Sequence, residues 1–374
     1  MSGPGGAAAS ADVAVVGGGI IGLAAAERLV AAGLSVVLID AAGIADGPSG
    51  VSGGLVRAFD PGGGDRARAA AQGLAAYLRR GRHGRWPAVR RHGGLTLVPA
   101  GAGGALAGVR AGVLAGVEAA RDAGHSAWVH DAAEIRERFP SLSVSPDLAG
   151  VYEPSAGWLP ARAVARAMLR DAADGLTVLE RVRATEVDIR GSRVRGVRTT
   201  AGPVAAPAVL IAAGVASADL ALTAGVRLPL RSRSIGYCVF EPREAPGDLP
   251  AVVDTTTGAW LRRWSDEATG RGGVLAGVVS HVTGVPVTVT RGTPPAEQER
   301  VRAVVARRCP ALADAGVCGG VMAHDALAPG GEGAVTAWPE PAGLVTATGW
   351  NGGAFKTAPV IGERAAARIR EVIA

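Results

Sequence analysis

The chain has 374 residues, 48% of them hydrophobic and 19% charged, a globular rather than a disordered composition. Its formal charge of +6 rests on 39 basic residues, of which all but one are arginine; the single lysine is Lys356. The length predicts two or three domains, and no apolar run reaches the roughly 18 residues of a membrane-spanning helix. Cys238, Cys309 and Cys318 are too few and too scattered for a disulfide framework or a zinc cluster, and the six histidines show no ligand spacing, so no metal is expected. The first ten residues lack the basic start and apolar core of a signal peptide, so a cytoplasmic protein is expected.

The first predicted element is an apolar strand at 13–16. It runs into Gly17-Gly18-Gly19-Ile20-Ile21-Gly22, a helix over 23–32 closed by Gly33, and a second strand at 36–39 ending in Asp40. This is a βαβ unit with a GxGxxG turn. Gly17 permits the tight turn, Gly19 admits a pyrophosphate to the backbone, and Gly22 lets helix pack on strand. The helix N-terminus faces the phosphates, and Ile20 and Ile21 of the turn are candidate cofactor contacts. Asp40 lies 18 residues past Gly22, where a carboxylate can accept both ribose hydroxyls. The unit alone does not separate NAD from FAD.

Ser49-Gly50-Val51-Ser52-Gly53-Gly54-Leu55-Val56-Arg57 follows, a loop of small residues that ends in a fixed cation. Arg79, Arg80, Arg82, Arg85, Arg90 and Arg91 then lie together with His83 and His92. Almost no aromatic residues interleave with them, so nucleic acid is not expected; they read as solvated surface, with an acidic carrier protein as the alternative partner. Further on, strands are predicted at 95–98, 235–240, 259–263 and 274–279, with helices at 105–123 and 296–308. Near the C-terminus come a buried strand at 344–348, the stretch Gly349-Trp350-Asn351-Gly352-Gly353-Ala354-Phe355-Lys356, and a helix from about 358 to 373 with Pro359 in its first turn.

The 49–57 run resembles the isoalloxazine-contacting loop of the D-amino acid oxidase (DAO) superfamily of FAD enzymes, in particular its sarcosine oxidase and glycine oxidase branch. The 349–356 stretch is similar to that family's GxSGHGFK-type loop, with Gly349, Asn351, Gly352, Gly353, Phe355 and Lys356 on the flavin's pyrimidine side. Residues 138–157 resemble the segment that re-enters the FAD domain. Residues 178–189, with Ala184, resemble a strand near adenine, and 210–214, with Ala213 and Gly214, a turn beside the pyrophosphate. The resemblance implies an α/β fold: a Rossmann-like FAD-binding domain of the glutathione reductase type, interleaved with an antiparallel-sheet substrate domain. The FAD domain would take 1–85, 150–217 and 322–374, and the substrate domain 86–149 and 218–321.

The resemblance also implies FAD, cradled by the residues above together with Ser49, Gly53 and Gly54; it is expected to be non-covalent, because the chain departs from the family at the flavin-linking cysteine. The implied reaction oxidises the C–N bond of a small amino or imino acid to an imine by hydride transfer to flavin N5, with O2 as acceptor. Arg57 and Lys356 match the two cations that hold the substrate carboxylate, and a compact ammonium suits a site crowded by flavin. Arg262, on a hairpin like that of a YxRP motif, is a third candidate anion ligand, and Tyr237 and His281 are candidate pocket residues. Trp260, Trp264 and Trp350 could line an aromatic pocket. Two departures stand out. The family's oxygen-activating lysine aligns with Leu275, which opens the reading of a dehydrogenase with another acceptor. The family's flavin-linking cysteine aligns near Ala323, several residues from Cys318. Two alternatives accompany this reading: a tailoring enzyme acting on a cyclic or carrier-bound amino acid in secondary metabolism, and a non-catalytic flavin-binding subunit.

Overall fold

The computed structural model of the protein describes residues 9–100, 111–266, 269–331 and 333–374. At its centre the strand Val13–Val16 lies between Ala208–Ile211 and Val36–Asp40, all parallel. Leu344–Thr348 and Leu176–Glu180 extend this sheet on either side, and Ala334–Ala337 closes one edge antiparallel. The central strands are covered on both faces, which is why they read as continuous apolar runs. Alternation still sorts their side chains. Val13, Val15, Leu38, Leu210 and Val345 enter a core shared with the helices Ile20–Ala31, Ala161–Asp171 and Ala354–Ile373. Ala14, Val16, Val37, Ile39, Val209, Ile211 and Leu344 enter a second core, closed by a four-stranded sheet and the short helix Ser217–Leu222. Helix, sheet and sheet thus form the Rossmann-like layers expected from the sequence.

A nine-stranded, mostly antiparallel sheet makes the rest. Its middle strands are Arg231–Glu241, Gly272–Val278, Ala259–Ser265 and Ala251–Asp254. Cys238, Phe240, Leu261, Val274, Ala276 and Val278 point to one face and pack with Val301 and Val305 of the helix Pro295–Val305. The opposite face, carrying Tyr237, Trp260, Arg262 and Leu275, turns toward the nucleotide-binding half. The strands Leu148–Glu153 and Gly316–Leu327 both belong to this sheet, so the domain borders expected at 149/150 and 321/322 fall inside its strands.

Several element limits differ from the sequence reading. The first helix starts at Ile20, because Ser49 Oγ accepts a hydrogen bond from Ile20 N at 2.9 Å and completes its first turn from outside. Residues 178–189 are not one strand: Arg181 turns the chain at φ 57, and the two halves join different sheets. The helix expected at 105–123 is seen as Ala111–Asp122, its first six residues lying outside the described ones. A helix at Gly64–Gly81 escaped the sequence reading, since its buried stripe is mostly alanine. No described helix is long and apolar enough to cross a membrane.

The last helix begins at Ala354, four residues before the predicted start, so Pro359 sits inside it rather than in its first turn. Proline has no N–H to donate to the carbonyl four residues back, that of Phe355. Tyr77 fills the gap: its hydroxyl donates to Phe355 O at 2.7 Å, and the two rings stack at 5.8 Å. Tyr77→Phe should therefore cost about 1–3 kcal/mol by orphaning a buried carbonyl. In a Pro359→Ala background, where the helix supplies its own donor, the same change should cost markedly less. Denaturant midpoints of the four proteins check this; equal costs in both backgrounds would refute it.

Candidate active site

The glycine turn is shaped by contact as well as by conformation. Gly17 has φ +111, and a side chain there would meet the carbonyl of Ala212; one at Gly22 would run into Gly17 O. Asp40, at the end of its strand, accepts from Gly18 N at 2.7 Å and from Ala42 N at 2.8 Å, so its carboxylate also fixes the turn. Gly214 has φ +59, and a Cβ there would meet no protein atom within 4 Å. Ala213 precedes it at the end of Ala208–Ile211, whereas Ala184 opens a strand of the four-stranded sheet. The helices Ile20–Ala31 and Ala354–Ile373 are both preceded by a glycine, Gly19 and Gly353, and carry no acidic residue in the first turn. Two helix ends open to negative charge, an open glycine shelf and an acid beyond the turn fit an adenine dinucleotide with a flavin.

The loop carrying Gly53 and Gly54 meets the nine-stranded sheet directly. A side chain on Gly53 would strike the ring of Trp260, and Arg262 Nε donates to Gly53 O at 2.7 Å. The Arg262 guanidinium lies 3.8 Å from the centroid of Trp158, and the Arg90 guanidinium lies 4.5 Å from the same ring. Its Nη1 donates to Arg263 O at 2.8 Å, and burial lowers its pKa to about 10. Arg262 therefore acts as a strut between sheet and loop, with two of its donors engaged on backbone. Tyr237 meets Trp260 edge-on at 6.0 Å on the same face. His281 is exposed and, together with Trp260, lines a hollow at the 254–258 turn. Trp264 packs on Gly273 and Trp350 on Gly333, so neither shares the Tyr237–Trp260 contact.

The C-terminal loop is tied down by Ala328, Arg233 and Asp325, none of them a candidate from the sequence. Asn351, at φ 48, accepts from Ala328 N at 2.8 Å through Oδ1. Arg233 donates to Asp325 at 2.9 Å and to Asn351 O at 3.1 Å. Gly352 faces Asp325, and Gly349 faces Ala328. Leu275 pairs with Arg262 across adjacent strands and shares its face. Cys318 is seven residues from Asp325 on one extended strand, about 23 Å at 3.3 Å per residue.

Lys356 is 9% exposed in the first turn of the last helix, and its ammonium donates to Asp60 at 2.5 Å. Burial, aided by the nearby Arg57 guanidinium, lowers its pKa to about 8 in spite of Asp60. Burial alone would raise the Asp60 carboxyl; Lys356, Arg57 and Arg66 outweigh it and hold the carboxyl below its usual range. Arg57 Nε is buried without a hydrogen-bond partner. Behind Arg57, the fully buried Glu153 accepts from Ala58 N at 2.7 Å and Phe59 N at 2.9 Å. The structure thus brings Arg57 and Lys356 together as expected, and adds two acids. In the arginine patch, Arg80 pairs with Glu27 at 2.7 Å and Arg85 with Asp171 at 3.4 Å, so part of it serves the fold.

The family model for FAD-dependent oxidoreductases, DAO, matches residues 12–368. A 149-residue stretch is 28% identical to mitochondrial sarcosine dehydrogenase of Mus musculus, covering 38% of this chain but only 16% of that protein. The fold is similar to that of L-proline dehydrogenase from P. horikoshii, with a TM-score of 0.83 and 20% identity over 97% of this chain and 94% of that one. It is also similar to glycine oxidase from Geobacillus kaustophilus, with a TM-score of 0.77 and 21% identity over 97% and 95%. With the family matched over almost its whole length and a dinucleotide cradle to go with it, the chain belongs to the DAO family of FAD-dependent oxidoreductases.

Proposed function

We propose that the protein oxidises the C–N bond of a small amino or imino acid, with Arg57 and Lys356 holding the substrate carboxylate. The observation that carries this reading is the meeting of these two cations, 299 residues apart in sequence, in one mostly buried cluster. Arg57 Nε is buried without a partner, a donor that an anion would satisfy. Tyr237 and Trp260, on the sheet face above the Gly53 loop, offer an apolar wall that excludes water from the reacting carbon. Bound FAD supplies the two-electron acceptor, and water hydrolyses the imine product.

The division into an FAD domain and a substrate domain supports this placement, with the site where the nine-stranded sheet faces the 49–57 and 349–356 loops. The distance of Cys318 along its strand supports non-covalent FAD. As final acceptor O2 is the first reading. The buried, uncharged Leu275 on the site-facing side favours a second, an electron carrier other than O2.

Anaerobic mixing of the flavoprotein with glycine, sarcosine and proline tests the proposal. At least one should bleach the flavin absorbance, and its carboxamide should do so about a hundredfold more slowly, the loss of a charge-assisted contact pair. No bleaching with any amine, or equal rates for acid and amide, would refute it. Slow recovery of colour in air would favour the second acceptor reading.

A further inference from the structure

We propose that the anion site is proton-coupled: a carboxylate ligand binds at Arg57 and Lys356 together with one proton taken up by Glu153. The inference rests on the preceding reading of those two cations as the carboxylate site, and on two atoms that reading leaves unexplained. Glu153 is 0% exposed, and while its Oε1 accepts two backbone N–H groups, its Oε2 has no partner. A buried carboxylate oxygen without a donor is costly in the ionised form. The two amides on Oε1 belong to Ala58 and Phe59, directly after Arg57, whose Nε is also buried and unpartnered. Glu153 is thus attached to the residue that meets the ligand, without itself reaching the ligand.

The charges make the coupling necessary. The charged groups facing Glu153 are Arg57, from the flavin loop, and Lys356, from the last helix. Asp60 holds Lys356 on one oxygen, and on the other it takes Arg66 at 3.4 Å and Gly62 N at 3.0 Å. With both acids ionised, Arg57 and Lys356 are already balanced by Asp60 and Glu153, and Arg66 stands half-exposed at the rim. An arriving carboxylate would then be an uncompensated charge in a dry site. One acid must take a proton from solvent. Asp60 is committed to three donors, whereas Glu153 loses nothing: as an acid it still accepts both amides on Oε1 and carries the proton on the orphan Oε2. Burial already pushes its pKa upward. If Glu153 instead served only to pin the backbone after Arg57, its glutamine variant, which keeps an acceptor for the two amides, would titrate as the wild type does.

The test uses the FAD-loaded protein and acetate as the probe, with binding read from the flavin absorbance change. Calorimetry between pH 6.0 and 7.0, where Lys356 stays almost wholly charged, is repeated in two buffers of different ionisation enthalpy. The wild type should take up a substantial fraction of a proton per acetate, and its Kd should rise with pH, up to tenfold per unit. Glu153→Gln should bind acetate with no uptake and a Kd flat across that range. Zero uptake by the wild type, a measurement that needs no variant, would overturn the proposal, as would equal uptake in Glu153→Gln. An acetate Kd unchanged in Arg57→Met would show that the carboxylate site itself was misplaced. Normal weakening by Arg57→Met without uptake would sink only the coupling.

Discussion

Lys356→Met should raise KM for a carboxylate substrate about ten- to a hundredfold, the loss of one charge-assisted contact worth about 1.5–3 kcal/mol. It should also destabilise the protein, because Asp60 loses its hydrogen-bonded cation and keeps only the nearby Arg57 and the half-exposed Arg66, a loss of up to about 3–5 kcal/mol. The two effects can be separated. Adding Asp60→Asn removes the stranded charge, so the double variant should regain most of the stability and none of the KM. Recovery of KM in the double variant would mean that Lys356 acts only through packing; loss of FAD at unchanged KM would make it a cofactor ligand. The pH dependence has a definite sign. The ammonium is lost through about pH 8, so KM of the wild type should climb above that pH, and the Met variant should lack the climb. Stability moves the other way. The folded lysine has a lower pKa than the unfolded 10.5, so between about pH 8 and 10.5 the unfolded chain holds more protons, and this group makes stability rise with pH.

What could be read from the sequence was what local pattern decides. The βαβ unit is a run of neighbours: strand, glycine turn, helix, strand and acid. Its strands Val13–Val16 and Val36–Asp40 fall where the pattern put them, to within a residue. Lys356 stood out because it is alone in its type. Its partner did not, because Asp60 is one acid in a loop, 296 residues away, and meets Lys356 only once the helix Gly64–Gly81 packs on the last helix. Glu153 was visible as part of a segment, yet nothing local says that its strand end will be sealed behind Arg57. Arg262 has the opposite history: its type and place suggested an anion ligand, and the fold spends two of its donors on Gly53 O and Arg263 O. The strand break at Arg181 and the early start at Ala354 are likewise tertiary outcomes, set by a left-handed residue between two sheets and by the loop that precedes the last helix.

Gly22→Val should give protein without FAD and with a damaged fold, whereas Gly214→Ala should spare the fold and weaken FAD alone. The difference lies in what surrounds each α-carbon. A side chain at Gly22 collides with the backbone carbonyl of Gly17, so the first helix must move off its strand; overpacking of this kind costs about 1–3 kcal/mol or more, and here it also displaces the helix end that faces the phosphates. At Gly214 the added methyl meets no protein atom within 4 Å, and the remaining penalty is the left-handed φ of +59, about 1–2 kcal/mol. If the pyrophosphate lies along this shelf, the methyl takes its room, and Kd for FAD should weaken roughly ten- to a hundredfold, an overpacking cost of about 1–3 kcal/mol. Flavin absorbance per protein on purification and the melting temperature of the apoprotein measure the two effects apart. A Gly214→Ala protein that binds FAD like the wild type would move the pyrophosphate away from the end of the Ala208–Ile211 strand. A Gly22→Val protein that keeps its flavin would show that the first helix can shift without losing its hold on the phosphates.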